Sequence, residues 1–454
     1  MTIYCGGHYG ILGRPGFPKL LVLAFCGLFC ASAAFPASVG AGEITFTRDI
    51  APIFQAKCEI CHRPGEMAPM PLITYEQVRP WAKDIRQRVA TRQMPPWHLD
   101  PTVGIQSFQN DMSLSNAQIE AIVKWVAAGA PQGDPKDLPA ARQWPEDKGW
   151  KLASQFGQPD LVVESEPYTM PAKAQDAWFR PLTPIPLTEP RWVRAVEIRP
   201  ASAKGRRITH HVLAFLQQEE PGSHKGIATQ GLLMEWAVNK NYDIYRPNTG
   251  KLLLPGARVR WEMHYHAVGE EIRDHVELAI YLYPKGQEPK YRTVLTEFLG
   301  CPGAKNFGVL DIPPNSVVES EGYEALKAPA RLENFQPHMH LRGKAMLLEA
   351  ILPDGTKRTL SYVDHFNFNW MTNYIYSDDA APVLPKGTVI HVVAWHDNTV
   401  NNLNNPDPDQ WVGWGDRTVD EMAHAWVNVT YISEDDYKEW LSKHEPHTVA
   451  VAAR

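Results

Sequence analysis

The chain has 454 residues, of which 44% are hydrophobic, so it can fold into about two to four domains with packed cores. Its formal net charge is −6, and residues 1–42 contain Arg14 and Lys19 but no acidic residue, which leaves −8 for the rest. This balance lacks the basic footprint of a nucleic-acid-binding protein. Thirty-nine prolines, 31 glycines and 15 tryptophans favour a loop-rich β protein over an all-helical one.

Residues 1–42 have the pattern of an export signal peptide. Arg14 and Lys19 precede an apolar run at 20–35, and small residues follow it, as at a cleavage site. The run is shorter than the about 20 residues that span a bilayer. We expect a periplasmic or secreted protein that starts near Gly42 and has no stable membrane insertion after cleavage; an uncleaved anchor is the alternative.

Cleavage there would remove three of the six cysteines and leave Cys58, Cys61 and Cys301. Three cysteines cannot form a disulfide framework. A close pair in an exported protein without other bridges indicates a role other than cross-linking. The sequence assigns no role to Cys301.

The periodicity of the chain predicts several domains. Residues 43–131 show helical spacing at 50–61, 75–92 and 115–128, which predicts a small all-α domain. Residues 132–160 have no sustained period and are expected to form a linker. Residues 161–440 contain short β-branched and aromatic runs, which predict two β-sandwiches at 161–300 and 301–440 and a tail at 441–454. The expected strands include 193–198, 208–215, 257–265, 276–283, 345–352 and 389–395.

The segment 58–62 reads CEICH. In the pattern C-x-x-C-H two thiols bind covalently to one haem while the adjacent imidazole takes an axial position on the iron. The sequence therefore predicts one haem c held by Cys58, Cys61 and His62. Residues 43–131 resemble a class I cytochrome c domain. A redox dithiol or half of a zinc site is the alternative for the cysteine pair.

The sixth haem ligand is expected downstream of His62. Met94 is the preferred candidate because it follows a helix and precedes two prolines, which stiffen the loop. His98 is the rival, and it would give a lower reduction potential than methionine.

The histidines beyond residue 200 are grouped. The H-x-H pair His338 and His340 projects from one face of a strand with about 7 Å between the two residues, so both can reach one metal. His210 and His211 are adjacent and would point to opposite faces, so they can share a metal only across a bulge or twist. His264 and His266 share one strand face and compete for the same role.

Four motifs in order resemble the copper type II, ascorbate-dependent monooxygenases, which include the peptidylglycine and dopamine hydroxylating enzymes. The motifs are ITHHVLAF at 208–215, VRWEMHY at 259–265, QPHMHLRGK at 336–344 and TVDEM at 418–422. The resemblance covers roughly 161–440. It implies two jelly-roll-like β-sandwich domains, each holding one copper, that face each other across a solvent-filled cleft.

The resemblance also implies the ligands of both coppers. His210, His211 and His264 would bind the electron-transfer copper, and His338, His340 and Met422 would bind the copper that reacts with dioxygen. A thioether ligand favours Cu(I), the oxidation state that reacts with dioxygen. A buried core methionine is the plain alternative for Met422.

Three positions depart from the peptidylglycine pattern. Those enzymes hold the peptide carboxylate with an arginine two residues before the H-x-H pair and with an asparagine and a tyrosine after the methionine. This chain has Gln336, His424 and Trp426 there. We therefore expect a neutral, aromatic or apolar small molecule rather than a peptide.

The sequence thus predicts an exported copper monooxygenase that hydroxylates a C–H bond with O₂. It would contain two copper ions and one haem c. A redox donor would supply electrons through the haem. The first alternative is a copper and haem protein that transfers electrons or handles copper without catalysis. The second is a haem protein whose β region binds only a partner.

Overall fold

The computed structural model describes residues 43–64, 66, 68–144, 149–219, 228–237, 240–299, 310–415 and 417–444, and residues 228–230 by their backbone only. The predicted signal peptide and Cys301 lie outside these ranges, as does Met67, another methionine downstream of His62. The described chain consists mostly of strands with few helices, as the composition predicted. None of its helices combines the length and apolar character needed to cross a bilayer.

The helices of residues 44–131 lie close to the three predicted segments. Ser115 and Gln118 form a capping box at the start of the last helix, which satisfies free N–H groups of its first turn. The rings of Phe46 and Trp125 pack 6.1 Å apart in the buried core between the first and last helices. The elements are a π-helical turn Phe46–Ile50, α1 Ala51–Lys57, α2 Tyr75–Val78, a 3₁₀ turn Arg79–Trp81, α3 Ala82–Ala90 and α4 Asn116–Ala127.

Short helices and strands make up the rest of the chain. The remaining helical elements are a 3₁₀ turn Pro135–Asp137, α5 Ala153–Phe156, α6 Ala203–Ile208 and α7 Glu434–Lys443. The first strands are β1 Leu161–Glu164, β2 Tyr168–Met170, β3 Ala177–Phe179, β4 Leu182–Pro184, β5 Arg191–Pro200, β6 Thr209–Gln218, β7 Ala228–Ala237, β8 Tyr242–Ile244, β9 Thr249–Leu253, β10 Arg258–Tyr265, β11 Ile272–Asp274 and β12 Val276–Leu282. The later strands are β13 Tyr291–Phe298, β14 Asp311–Ile312, β15 Val317–Ala325, β16 Ala330–Leu332, β17 Asn334–Met339, β18 Gly343–Ile351, β19 Lys357–Val363, β20 Tyr374–Ile375, β21 Val383–Leu384, β22 Val389–Asp397, β23 Val412–Gly413 and β24 Ala423–Tyr431.

Each half of the β region buries a core between two sheets. In the first half, β1, β12, β5 and β9 are consecutive strands of one sheet, and β3, β10, β6 and β7 form a second. One hydrophobic cluster draws side chains from both sheets, among them Val196 and Trp261. In the second half, β24 with β16 and β17 faces the sheet β15-β22-β18-β19 across a similar cluster. This layering is consistent with β-sandwich domains.

Strand β13 connects the two halves. It pairs in parallel with β9 over two residues and antiparallel with β24 over six. The largest sheet in the described ranges therefore runs through both halves. The expected boundary at residue 300 follows β13, although β13 pairs mainly with the C-terminal half; the division into domains stays a prediction.

The segment predicted as a linker is held by contacts at Trp144 and Leu152. Trp144 lies under two guanidinium groups, with Arg63 at 4.2 Å and Arg142 at 4.1 Å from its ring. Leu152 is buried, and its amide donates a 3.0 Å hydrogen bond to Glu197 on β5. The described part of this segment thus packs on the helical region and on the first β half.

The chain between α3 and α4 packs on the second β half. The ring of Trp97 contacts Tyr374 at 4.8 Å and Phe108 at 5.5 Å. Leu99 forms a β-bridge with Val363. This excursion joins the helical region to β19 and β20 of the second half.

Candidate metal centres

A bulge at His210 brings the first three histidines together. His264 on β10 pairs with His211 on β6, but the next residue, Tyr265, pairs with Thr209. His210 is therefore the extra residue of a β-bulge, which turns its side chain towards that of His211. The Nδ1 atoms of His210 and His211 are 2.9 Å apart. Possible ligand atoms of His210, His211 and His264 all lie within 4.8 Å of one another.

The hydrogen bonds of these imidazoles leave nitrogen atoms available to a metal. His264 Nε2 lies 2.9 Å from a carboxylate oxygen of Asp176, to which it can donate. Its buried Nδ1 has no hydrogen-bond partner in the described chain, and neither has Nε2 of His211. A ligating histidine typically donates its other N–H to a carboxylate or a carbonyl. The residues therefore fit a metal held by three imidazoles.

Burial keeps these imidazoles neutral at pH 7. Burial, together with His264 and His266, lowers the pKa of His210 to about 4. Burial also lowers the pKa of His211 well below its usual value, and that of His264 to a smaller extent. The indole of Trp178 stacks on His264 with 4.7 Å between ring centroids. Neutral imidazole is the form that binds metals, and the group contains His264 rather than its competitor His266.

The second group lies on β17 and just after it. The imidazole centroids of His338 and His340 are 5.5 Å apart. His340 Nδ1 donates to the carbonyl oxygen of Asp420 at 3.0 Å, so its Nε2 remains as the metal-binding atom. The buried carboxylate of Glu421 accepts the backbone N–H groups of His340 and Arg342 at 2.9 and 2.6 Å. These bonds hold the end of β17 against the chain before β24.

The thioether that touches this group is not the expected one. Met371 Sδ lies 2.7 Å from His338 Nδ1, and both side chains are buried. Met422 is half-buried, and its carbonyl oxygen accepts a 3.1 Å hydrogen bond from His396. The ligand role of Met422 stays a prediction.

The two histidine groups are in contact. The ring centroids of His211 and His338 are 6.1 Å apart, and each residue is only 2% exposed. The ring of Phe368 lies 5.2 Å from that of His210 and 5.9 Å from that of His340. The resemblance implied a solvent-filled cleft between the two groups. In this structure the rings of His211 and His338 instead lie in contact.

Gln336, His424 and Trp426, the three residues that differ from the peptidylglycine pattern, all contact other side chains. Gln336 bonds to the buried carboxylate of Glu235 and accepts a 3.0 Å hydrogen bond from Lys240. Trp426 stacks on His338 with 4.7 Å between centroids. His424 lies 2.7 Å from a carboxylate oxygen of Glu297. Lys240 also forms an ion pair with Asp243 at 3.5 Å, so its positive charge is balanced within the chain.

The cysteine pair lies directly after α1. Cys58 caps that helix, and its amide donates to the carbonyl of Phe54 at 2.8 Å. Burial raises the pKa of the Cys58 thiol to about 12 and that of Cys61 to about 11. Redox-active dithiols have lowered thiol pKa values. The surroundings therefore weigh against the redox-dithiol alternative.

The ring of His62 is fixed by one hydrogen bond. Its Nδ1 donates to the carbonyl oxygen of Met70 at 3.0 Å, which leaves Nε2 for a metal. Burial lowers the pKa of His62 and keeps the ring neutral. The donor set of two thiols and one neutral imidazole fits a covalently bound haem.

The two candidates for the sixth haem ligand have different surroundings: Met94 lies at the end of α3, and His98 packs against the second β half. The Met94 amide donates to the carbonyl of Arg88 at 3.2 Å. Arg88 is in the last turn of α3. The His98 amide donates to the hydroxyl of Tyr374 at 3.2 Å, and burial with the nearby His365 lowers the pKa of the His98 ring to about 4. His98 thus belongs to the packing of the second β half. This favours Met94, whose ligand role stays a prediction.

Asp176 and Met371 contact the histidine groups but could not be recognised as site residues from the sequence. Asp176 lies 88 positions from His264 and Met371 lies 33 from His338. No spacing rule joins residues so far apart, and neither residue stands in a motif. His391 bridges Glu321 and Glu349 at 3.0 Å each and so has a structural role.

No protein-family model matches the chain, and no curated protein matches it either. Several solved structures show a weak likeness. The major capsid protein P2 of bacteriophage PM2 is 10% identical with a TM-score of 0.24, over 57% of this chain and 97% of that one. VP2 of infectious bursal disease virus, as a subviral particle, is 11% identical with a TM-score of 0.18, over 60% and 71%.

A Paenibacillus xanthan lyase is 8% identical with a TM-score of 0.17, over 59% of this chain and 25% of that one. TM-scores this low carry no argument about the architecture or the function of this chain. The site residues and their geometry alone support a functional assignment.

Proposed function

We propose that the protein is an exported copper-dependent monooxygenase with its own cytochrome c domain. It would comprise a small all-α cytochrome c domain and two jelly-roll-like β-sandwich domains. The reaction would insert one atom of O₂ into a C–H bond of a small organic substrate. A separate redox protein or small reductant would supply electrons through the haem.

One observation carries this proposal: the bulge at His210 aims three neutral imidazoles at one point next to a second histidine pair. A bulge interrupts the regular ladder and is tolerated where it redirects a side chain for a purpose. Packing alone does not require buried imidazole nitrogens without partners, since each one costs about 1–3 kcal/mol. A bound metal removes that cost.

The residues have distinct roles in the proposed reaction. His210, His211 and His264 would hold the electron-transfer copper, and His338 and His340 with a thioether, expected from Met422, would hold the catalytic copper. Cys58, Cys61, His62 and Met94 would hold the haem. When bound, these groups supply one-electron transfer and the activation of dioxygen.

The chain contributes orientation and exclusion of water. Asp176 and the carbonyl of Asp420 accept one N–H from His264 and His340 and so select the nitrogen that each ring presents. Trp178, Trp426 and Phe368 cover the imidazoles with apolar ring faces. Such a shell favours a neutral substrate, as does the engagement of Gln336 with Glu235.

The second candidate is a non-catalytic copper and haem electron carrier. The burial of His211 and His338, each 2% exposed, favours it, because a hydroxylase must admit O₂ and an organic molecule to its copper. Contact between the two histidine groups would suit electron transfer equally well. Oxygen consumption that depends on an added substrate separates the two candidates.

Metal analysis and oxygen uptake test the proposal. The exported protein should contain two copper ions and one haem, and a screen of small aromatic and aliphatic compounds should reveal substrate-dependent O₂ uptake. His338→Ala should abolish the uptake and remove one copper ion. The matched control is His365→Ala, whose side chain is 84% exposed and whose loss should change neither value. Copper without any uptake would favour the electron carrier, and a copper-free protein would contradict both candidates.

The haem is tested separately. Acid extraction should leave haem on the polypeptide, and the double variant Cys58→Ala, Cys61→Ala should lose it. Met94→Ala should remove the methionine-to-iron charge-transfer band and lower the reduction potential. Release of all haem from the parent protein would overturn the covalent attachment, and an unchanged Met94→Ala spectrum would transfer the ligand role to another residue.

A further inference from the structure

A third cluster of potential metal ligands lies where β1 pairs with β12. Possible ligand atoms of Glu164, His275 and Glu277 all lie within 4.8 Å of one another. Glu164 on β1 pairs directly with Glu277 on β12, and His275 lies two residues before Glu277. Val276 and Leu278 are buried in the core of the first β half. Since alternate residues of an extended chain project from opposite faces, the three potential ligands share the outer face of this sheet.

The distances within this cluster are too long for hydrogen bonds and close to those between ligands of one ion. His275 Nε2 lies 3.9 Å from Oε2 of Glu164 and 3.8 Å from Oε1 of Glu277. Hydrogen bonds from N–H to oxygen are about 2.7–3.2 Å long. Zinc, with bonds of about 2.0–2.2 Å to nitrogen and oxygen, would hold tetrahedral ligands about 3.4 Å apart. A small contraction of the cluster would therefore complete the coordination of one ion.

Hydrogen bonds hold two of the three potential ligands in place. Arg199 on β5 donates through Nε to Oε2 of Glu277 at 2.7 Å, so that Oε1 of Glu277 is the oxygen that faces His275. The guanidinium of Arg199 lies 3.9 Å from the ring of Trp150, which fixes its own position. The carbonyl oxygen of His275 accepts a 2.9 Å hydrogen bond from the amide of Ala201. A carboxylate that is itself hydrogen-bonded is oriented for metal binding.

The charges and the position of the cluster favour a bound cation. Glu164 and Glu277 stand directly opposite each other, and like charges in this position destabilise strand pairing. The four-residue strand β1 lies at one edge of the largest described sheet, with β12 as its neighbour. A divalent cation between the two carboxylates would replace their repulsion by attraction. One imidazole with two carboxylates suits zinc, whereas calcium and magnesium take oxygen ligands.

We propose that Glu164, His275 and Glu277 bind one divalent transition-metal ion, for which zinc is the best fit, and that this ion pins β1 to β12. Water would complete the coordination, since the side chains of Glu164 and His275 are 64% and 32% exposed. The site shares no residue with the proposed copper and haem sites, so it does not depend on the proposed function.

Zinc binding to the copper-loaded protein tests this proposal. Equilibrium dialysis against Zn²⁺ should show one zinc ion per chain, and zinc X-ray absorption should show nitrogen and oxygen ligands without sulfur. Glu164→Gln and His275→Ala should each weaken binding at least about tenfold, since loss of a group that merely supports a ligand already costs about 10–100-fold. The matched controls Glu189→Gln and His365→Ala alter an exposed carboxylate and an exposed imidazole elsewhere and should keep the parent affinity.

Hydrogen exchange gives a second measurement. Zinc should slow the exchange of the β1 amides in the parent protein but not in His275→Ala. Zinc that stays bound to His275→Ala and is lost from His211→Ala would belong to the three-histidine group, which would overturn the proposal. A copper-loaded parent protein that binds no zinc would also overturn it and would leave the proposed function intact.

Discussion

The helical region, 44–131, and the β region, 161–431, carry their candidate ligands in opposite ways. In the helical region Cys58, Cys61 and His62 follow one another directly after α1, so one helix end positions all three. In the β region His264 joins His210 and His211 only because β6 and β10 pair in one register with one bulge. A local motif tolerates changes elsewhere, whereas a distributed group depends on strand register.

Deleting His210 should give the largest effect, because it would remove the bulge and one ligand together. The variant should lose one of the two proposed copper ions and keep the proposed haem and the second copper. Metal analysis and haem absorption measure this result. Deletion of Leu403, which is 97% exposed in a loop, is the control and should leave both metals in place. Retention of both coppers would mean that the bulge does not build the site.

Replacing Trp125 by alanine tests the independence of the helical region. Trp125 is fully buried in that core, and its loss should cost about 3–5 kcal/mol in the free energy of unfolding. Denaturant unfolding followed at the haem band should show this loss while the copper content stays unchanged. Trp81→Ala, at a position 41% exposed, should cost much less. Loss of copper from Trp125→Ala would show that the two regions do not hold their ligands independently.

Acid should weaken the packing of the chain around His98 on the second β half, because His98 is buried there as a neutral ring. Burial, with the nearby His365, lowers the pKa of His98 to about 4, so the unfolded chain, at an ordinary value of about 6.5, binds the proton more readily. The stabilisation from neutral His98 is complete above pH 6.5 and is lost as the pH falls towards 4, by on the order of 3 kcal/mol at most.

His98→Gln should therefore flatten the dependence of the unfolding free energy on pH between 6.5 and 4. Denaturant titrations at several pH values measure this slope, and the exposed His444→Gln is the control that should keep the parent slope. An unaltered slope in His98→Gln would place the acid sensitivity at other residues.

Removing the partner of His264 should give the smallest effect. Asp176→Ala deletes the carboxylate that accepts the Nε2 proton of His264, and loss of such a partner typically weakens metal binding about 10–100-fold. Competition with a copper chelator measures the affinity of the first site. His266→Ala is the matched control, because His266 lies outside the three-histidine group. Equal weakening in both variants would leave the choice between His264 and His266 open.

The elements themselves were readable from residue patterns. The predicted helices at 75–92 and 115–128 and the predicted strands at 193–198 and 389–395 match observed elements within a few residues, because burial on one face imposes a period on the sequence. The sheet that runs through both halves was not readable. The two-residue parallel pairing of β9 with β13 leaves no mark in the local pattern of either strand.

The candidate site divides in the same way. The C-x-x-C-H segment and the histidine pairs could be found in the sequence, since a metal needs particular donor atoms at short spacings along a helix end or a strand. The sequence also predicted that His210 and His211 can share a metal only across a bulge or twist, and β6 contains a bulge at His210.

The tertiary structure alone decided the contact between the two histidine groups, the role of Asp176 beside His264 and the place of Met371 beside His338. These contacts join residues from separate strands and loops, and they arise from how the sheets pack, which no local period records. The sequence by itself determined which donor atoms the protein has. The packing of its sheets determined which of those atoms meet, because the distance between two side chains depends on the path of the whole chain between them.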